Sequence, residues 1–171
     1  FSRQGLVRDT TRQRYPDEGA WHQEVFEFGL NYRLPDVLSA LGSSQLRRLD
    51  DFKKRRTAIF ERYSSELSDV QGLVLPTRRE YVDPMWHLYP VRVLGGQRRR
   101  VFDELRGRGI LVQVNYIPAY WHPVFEDLGY RRGMCPVAEE FYEQEISLPM
   151  FAALTDDDQS RVIDAVRSIL P

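Results

Sequence analysis

The sequence has little of several residue types that common protein classes require. Its single cysteine, Cys135, excludes an internal disulfide framework and a cysteine-based zinc site, as is typical of a reducing compartment. No stretch approaches about 18 consecutive apolar residues, and the first residues lack the apolar core of a signal peptide. We therefore expect no membrane span, no export signal and a cytoplasmic location.

An excess of charge of one sign is also missing, because 24 Lys and Arg residues oppose 25 Asp and Glu residues. The net charge of -1 provides no overall field that would attract nucleic acid or anionic lipid, so we expect neither as a partner. The three histidines, His22, His87 and His122, have none of the close spacings of a metal site. No bound metal is expected.

Lysine is nearly absent, since Lys53 and Lys54 are the only lysines of the chain. Chemistry that needs a lysine amine therefore has only these two candidates. Both lie in the charged stretch 50–56, which indicates a solvent-exposed helix face. The chain also begins with Phe1 rather than Met, and from this we expect it to be part of a longer polypeptide.

The chain does have enough apolar residues for a folded domain, with 42% hydrophobic and 12% aromatic residues in a length of 171. Residues 1–33 show no long periodicity and are predicted to form an irregular arm or loop. From Pro35 onwards, apolar residues recur at spacings of three, four or seven. This spacing predicts one long helix over about 36–68.

The second half of the chain alternates between strand and helix patterns. Residues 86–94 predict a strand, and Pro90 within it favours an edge position. A helical face at 97–108 and a short β-rich run at 110–114 complete a predicted β-α-β unit. Further helices are expected near 136–144 and from Thr155, the predicted N-cap, to Leu170. The fold class is therefore α+β.

Two segments combine residue types that could bind a ligand. Residues 29–35 place a glycine, an amide, a phenol and a guanidinium just before a helix, which could hold an anion. The alternative is a helix cap with its arginine in solvent. Residues 115–125 hold four aromatics, one histidine and two prolines, which suits a stiff ligand-binding loop. The alternative there is a buried aromatic plug or a subunit interface.

Four side chains near these segments are interpreted without a catalytic role. His122 is expected to be a hydrogen-bonded loop histidine, and His87 is expected to lie in the core of a strand. Cys135 is interpreted as a small buried residue. Glu139 is assigned to a helix surface.

A set of motifs in a fixed order resembles a known family. Residues 27–36 read EFGLNYRLPD and closely resemble the signature of the DegT/DnrJ/EryC1/StrS family of pyridoxal-phosphate-dependent sugar aminotransferases. The resemblance continues through 40–42 (ALG), 116–118 (YIP), 136–139 (PVAE) and 146–151 (ISLPMF), and so covers nearly the whole chain. The loop sequences are most similar to the subgroup that aminates UDP-4-keto-6-deoxy sugars on the route to pseudaminic acid.

The resemblance implies a fold of the aspartate-aminotransferase type. Residues 1–35 would be the end of the large cofactor domain, and residues 36–171 would be the C-terminal small domain, a small and mainly antiparallel sheet packed with helices. The implied activity is transfer of an amino group from an amino acid, glutamate by the habit of the family, to a nucleotide-linked keto-deoxy sugar. The implied cofactor is pyridoxal 5'-phosphate.

The resemblance also implies where functional residues lie. The Schiff-base lysine of the family would lie upstream of the matched region, so no catalytic residue is assigned here and the chain alone is expected to be inactive. Family members are homodimers with composite sites, in which Asn31 would reach the cofactor phosphate of the partner subunit. The residues expected near the nucleotide sugar are Arg33, Tyr116, Tyr120 and His122.

The chain departs from the family pattern at two positions, and two alternatives stay open. Many relatives carry histidine where this chain has Gln4 and again where it has Tyr120; the second change keeps a hydrogen-bonding tip but removes a titratable one. The chain could instead be a stand-alone binding module. The longer protein could also be a sugar dehydratase of the same family, in which histidine replaces the cofactor lysine.

Overall fold

The computed structural model describes residues 6–14, 16, 24–26, 30 and 34–170. The chain divides into two compact units, Phe1–Arg48 and Leu49–Pro171. The second unit contains the three-stranded sheet and the hydrophobic core.

The first unit contains a short β ladder and one helix. Strands β1 (Leu6–Val7) and β2 (Glu24–Val25) pair antiparallel, so the segment predicted as irregular holds a small two-stranded sheet. Helix α1 (Asp36–Leu46) begins directly after Pro35, and the Asp36 carboxylate lies in its first turn, where it complements the positive helix end.

The prediction of one helix over 36–68 is wrong, because the structure ends α1 at Leu46 and begins a new helix, α2 (Leu49–Glu66). The backbone N–H of Arg48 donates to the carbonyl of Gln45 at 3.0 Å, a tight turn that closes α1. Two arginines thus follow the negative end of α1, and two aspartates occupy the first turn of α2. This charge pattern marks a helix boundary that apolar periodicity does not detect.

The second unit alternates helices and strands around the sheet. Its helices after α2 are α3 (Arg98–Gly107), α4 (Pro123–Asp127), α5 (Pro136–Gln144) and α6 (Asp156–Ile169). Its strands are β3 (Leu73–Val74), β4 (Tyr89–Val93) and β5 (Glu145–Leu148), in the order β3-β4-β5 and antiparallel throughout. The α+β class and the helices predicted near 97–108, 136–144 and 155–170 are confirmed.

Strand β4 is the central strand, so the edge position predicted from Pro90 is wrong for the strand as a whole. Strand β3 pairs only with Arg92 and Val93, whereas β5 pairs with residues 89–92. The half of β4 that contains Pro90 therefore has a paired strand on one side only. A residue without a backbone N–H is tolerated there.

The predicted strand at 110–114 is reduced to a single β bridge. Gln113 pairs antiparallel with Ser147 of β5 and exchanges both backbone hydrogen bonds with it, at 3.3 and 2.8 Å. Because β4 and residue 113 both run antiparallel to β5, they are parallel to each other with β5 between them. The predicted β-α-β unit is therefore present in a split form.

One hydrophobic core fills the second unit. Helix α6 buries six residues along one face, and α2 contributes Ile59, Phe60 and Tyr63. The rings of Phe60 and Trp86 stack at 3.6 Å. His87 lies before β4 and is exposed, so its predicted place in the core of a strand is wrong.

Helix α6 shows the N-cap that the sequence predicts. The Thr155 hydroxyl accepts a hydrogen bond from the Asp158 backbone N–H at 3.1 Å, and Gln159 donates from its buried amide to the Ile59 carbonyl at 2.9 Å. These bonds fix the start of α6 and tie it to α2. Within the part of the chain that is described, no helix is both long and apolar enough to cross a membrane.

Candidate functional site

A groove of about 660 Å³ lies in the second unit, between residues 115–118 and the first two turns of α5. Its lining is mostly apolar, with one amide and one phenol among the side chains: Asn115, Tyr116, Pro118, Cys135, Pro136, Val137, Ala138 and Phe141. Tyr116 is 73% exposed and Val137 is 82% exposed. An apolar cleft with a few polar groups is the usual form of a ligand site.

Proline residues define both walls of this groove. Pro118 precedes a 3₁₀ turn at Ala119–Trp121, and Pro136 occupies the first turn of α5. A proline in a first turn loses no helical hydrogen bond and fixes one backbone dihedral in advance. Each wall therefore contains one position whose backbone dihedral is fixed by proline.

A hydrogen-bond network around Glu139 holds the two loops behind the groove together. The Tyr120 hydroxyl donates to one Glu139 carboxylate oxygen at 2.5 Å. The Gly133 backbone N–H donates to the same carboxylate, at 2.7 and 2.9 Å to its two oxygens. Glu139 thereby ties residue 120 to the loop that precedes α5.

The two side chains of this network shift each other's titration in opposite directions. Partial burial, together with the hydrogen bond to Glu139, raises the pKa of Tyr120 to about 12. The bond from Tyr120 and the backbone N–H of Gly133 lower the pKa of the Glu139 carboxyl. Tyr120 is therefore a neutral donor at physiological pH, and Glu139 is an ionised acceptor.

Trp121 holds the same loop through aromatic contacts. Its ring is buried, meets Tyr142 edge-to-face at 5.3 Å, and carries the Arg132 guanidinium 4.2 Å above its centre. Its indole N–H, near the Glu139 carboxylate, forms no hydrogen bond of good geometry within the described residues. Trp121 is thus the buried plug of the segment, and Tyr116 is its exposed end.

The structure separates the predicted substrate residues. Tyr116 lines the groove, Tyr120 is engaged by Glu139 behind it, and His122 is exposed, where its backbone carbonyl accepts from Phe125 and Glu126. Asn31 and Arg33, predicted to contact the cofactor phosphate and the nucleotide sugar, lie outside the described residues.

Sequence reasoning missed three residues of this site. Cys135 is exposed and lines the groove, so its interpretation as buried is wrong. Glu139 was assigned to a helix surface, yet it is the centre of a network. Glu145 drew no prediction, yet it is completely buried and its carboxylate accepts from the backbone N–H of Asn115 in the groove; no local pattern of the sequence indicates this.

The two lysines do not fit a Schiff-base site. Lys53 forms an ion pair with Asp83 and its side chain is 36% exposed, and Lys54 is exposed. The depression that they line on α2, of about 400 Å³, also presents Asp50 and Glu61, which would repel a phosphate. Neither lysine of the described residues therefore lies in a site suited to a Schiff base with pyridoxal phosphate. Nor do the described residues contain a group of three acidic, histidine or cysteine side chains able to hold a metal.

Comparison with known proteins decides the family. Residues 1–167 match the sequence profile of the DegT/DnrJ/EryC1/StrS aminotransferase family. The chain belongs to this family. The resemblance of the sequence motifs is thereby confirmed over nearly the whole chain.

Individual relatives agree with this assignment. A UDP-4-amino-4,6-dideoxy-N-acetyl-beta-L-altrosamine transaminase of Campylobacter jejuni is 33% identical over 88% of this chain and 40% of its own length. PseC of Helicobacter pylori, an aminotransferase involved in the biosynthesis of pseudoaminic acid, superposes with a TM-score of 0.84 at 26% identity, covering 99% of this chain and 44% of PseC. The PLP-form of Spr1654 from Streptococcus pneumoniae superposes with a TM-score of 0.85 at 26% identity, covering 98% of this chain and 41% of that protein.

These comparisons confirm the predicted fold and support the predicted cofactor at the level of the family. They also show that the chain spans less than half the length of each of the three relatives. A groove without a lysine is consistent with that coverage, because a large part of each relative has no counterpart in this chain.

Proposed function

We propose that this chain is the C-terminal part of a pyridoxal-phosphate-dependent aminotransferase. The longer protein transfers an amino group from an amino acid, with glutamate as the expected donor, to a nucleotide-linked keto-deoxy sugar. The family match over residues 1–167 carries the proposal. The transaminase of Campylobacter jejuni, which acts on a UDP-linked amino-dideoxy sugar, supports the substrate class.

The proposal assigns residues 1–35 to the end of a large cofactor domain and residues 36–171 to a C-terminal small domain. It places the Schiff-base lysine outside this chain, since Lys53 is paired with Asp83 and Lys54 faces solvent. The groove beside Tyr116 is the part of the described structure proposed to face the nucleotide sugar. A homodimer with shared sites completes the proposal.

Two assays test the proposed function. The 171-residue chain mixed with pyridoxal phosphate and borohydride is expected to give no stoichiometric adduct at Lys53 or Lys54. The longer protein, incubated with a UDP-4-keto-6-deoxy sugar and glutamate, is expected to yield an amino sugar detectable by mass spectrometry. A product that has lost a hydroxyl group without gaining nitrogen would identify a dehydratase, and a defined lysine adduct that supports turnover by the short chain would refute the fragment assignment.

Substitution of Asn31 tests the proposed cofactor contact. A hydrogen bond to a charged group contributes about 1.5 to 3 kcal/mol, so Asn31→Ala in the longer protein is expected to weaken cofactor binding about 10- to 100-fold. Arg33→Ala is the matched control, expected to raise the KM for the nucleotide sugar more than the cofactor Kd. The helix-cap alternative gives the reverse result, a stability loss of about 1 kcal/mol with unchanged cofactor affinity.

A further inference from the structure

Glu145 is completely buried at the junction of α5 and β5, and its backbone and side chain each hold a different wall of the groove. Its backbone N–H donates to the carbonyl of Phe141, a residue of the α5 wall. Its carboxylate accepts from the backbone N–H of Asn115, a residue of the opposite wall, at 2.7 Å. One residue therefore connects both walls to the sheet.

The backbone and the side chain of Glu145 together explain why the strand predicted at 110–114 stops after one bridge, since the Glu145 N–H already donates to Phe141. Gln113 and Ser147 form a hydrogen-bonded pair, and the next such pair in an antiparallel ladder would join residues 115 and 145. The Asn115 N–H instead donates to the Glu145 carboxylate. The intervening side chain holds the backbone of residue 115 away from β5 and directs the chain into the groove wall.

The second oxygen of the carboxylate is held as well. The Ser147 hydroxyl donates a hydrogen bond to that oxygen at 2.5 Å, and the positive charge of Arg98 opposes the rise that burial causes in the pKa of Glu145. A buried carboxylate with two donors is fixed in one orientation, because leaving either donor unpaired costs free energy. The position of the Asn115 backbone is thus set by the sheet rather than by the loop itself.

We propose that Glu145 is a positioning residue of the groove, which places Tyr116 opposite the start of α5 by accepting the Asn115 backbone hydrogen bond. The contact with Asn115 stands on the described geometry alone. Its effect on substrate binding rests on the proposed function, in which Tyr116 contacts the nucleotide sugar.

Two substitutions of Glu145 that keep its approximate size distinguish the effect of its hydrogen bond with Asn115 from the effect of its packing. In Glu145→Gln, the amide oxygen can accept from Asn115 while the amide nitrogen donates to Ser147. In Glu145→Met, the volume is kept but the acceptor is lost. In the 171-residue chain, the Asn115 amide of the Met variant is expected to exchange with solvent deuterium about 10- to 100-fold faster than in the parent. The Gln variant is expected to restore slow exchange, and the Val91 amide of β4 is expected to be unaffected in both.

Unchanged Asn115 exchange in the Met variant would overturn the proposal. Equal acceleration at Val91 would also overturn it, because this result would indicate general destabilisation. If the Met variant does not fold, nuclear magnetic resonance of the unmodified chain decides. The Asn115 amide proton shift should then titrate with the same midpoint as the Glu145 carboxyl carbon, and an Asn115 signal that does not follow Glu145 would refute the contact.

The longer protein tests the effect on the substrate. Glu145→Met is expected to raise the KM for the nucleotide sugar while changing kcat less, and Glu145→Gln is expected to stay near the parent in both. Equal losses in both variants, or a loss in kcat alone, would contradict a positioning role. A longer parent protein without aminotransferase activity would refute the proposed function, while the exchange experiment would still test the contact.

Discussion

Helices α1 and α6 each contain five apolar residues but differ in burial. Helix α6 buries six of its residues, among them Val162, Ile163 and Val166, in the core of the second unit. No residue of α1 is buried, and Leu38 and Leu41 are 50% and 54% exposed. Apolar spacing thus predicts that a helix has an apolar face, but it does not predict which part of the structure buries that face.

The difference between the two helices agrees with the proposal that the chain is part of a longer protein. An exposed apolar helix face usually marks a surface that another part of the structure covers. The relatives compared are more than twice as long as the matched region. Paired substitutions, one in α1 and one in the second unit, measure how far the two regions differ in their contribution to stability.

Truncation of an apolar side chain should give the largest contrast. Leu105 is completely buried on α3, so Leu105→Ala is expected to lower the free energy of unfolding by about 2 to 5 kcal/mol. Leu41→Ala in α1 is expected to change it by less than about 0.5 kcal/mol. Urea unfolding of the 171-residue chain measures both. A loss at Leu41 comparable to that at Leu105 would show that the α1 face is covered within this chain.

Polar side chains should show the same contrast with a smaller effect. Gln159 of α6 is 1% exposed and donates to the Ile59 carbonyl of α2. Gln159→Ala removes this bond and leaves a small cavity, so a loss of about 1 to 3 kcal/mol is expected. Gln45→Ala, at an exposed position of α1, is the control and should be neutral to within about 0.5 kcal/mol. Equal effects in the same unfolding assay would contradict the assignment of Gln159 as a buried link between helices.

The starts of the two helices also differ. Thr155 caps α6 with its side chain, whereas Pro35 before α1 makes no such bond. Thr155→Ala is expected to lower the free energy of unfolding by about 1 kcal/mol, which thermal melts measure. Thr155→Ser keeps the capping oxygen and should restore most of this loss. If Thr155→Ala leaves the free energy of unfolding unchanged, the cap does not stabilise the fold, and packing of the α6 face alone is sufficient.

The sequence was sufficient to predict those elements whose caps and apolar periodicity match their burial in the structure. It was not sufficient where a few residues end a helix or a strand. Helix α6 was predictable because Thr155 marks its start and one apolar face recurs along it. The break between α1 and α2 was missed because apolar periodicity continues across it, and arginine itself favours a helix. Only the order of charges, two arginines after α1 and two aspartates at the start of α2, indicates the boundary. The strand at 110–114 was predicted from its composition, yet the ladder ends because Glu145 donates its backbone N–H to Phe141 and accepts the Asn115 N–H with its side chain.

The candidate site was predictable only in part for the same reason. Composition identified the aromatic loop that contains Tyr116 and Tyr120, since aromatic and proline residues are concentrated there. It did not reveal that Tyr120 is bound to Glu139, nineteen positions away in sequence. Contacts of this length depend on how the chain returns after α4, which local patterns do not encode.

The pH dependence of stability provides the last test of the contrast between buried and exposed regions, and its expected effect is the smallest. Glu145 is completely buried, whereas the acidic residue at the start of α1, Asp36, is exposed. Burial raises the pKa of Glu145 despite the hydrogen bonds that it accepts. The folded state therefore binds the Glu145 proton more tightly than the unfolded state, and the stability that this gives is lost as pH rises through the raised pKa. Glu145→Gln has no such loss, so its stability relative to the parent should increase with pH.

Glu139→Gln is the matched comparison, because the pKa of Glu139 is lowered and the sign reverses. The parent gains stability from ionised Glu139 above the ordinary pKa of glutamate and loses it as pH falls through the lowered value. The Glu139 variant should therefore become less stable relative to the parent as pH rises. Urea unfolding at several values between about pH 2.5 and pH 7 gives both trends, because the Glu139 trend lies below the ordinary pKa of glutamate and the Glu145 trend lies above it. Two parallel trends would show that burial does not raise the pKa of Glu145, and the contrast with the exposed region would then not extend to charge.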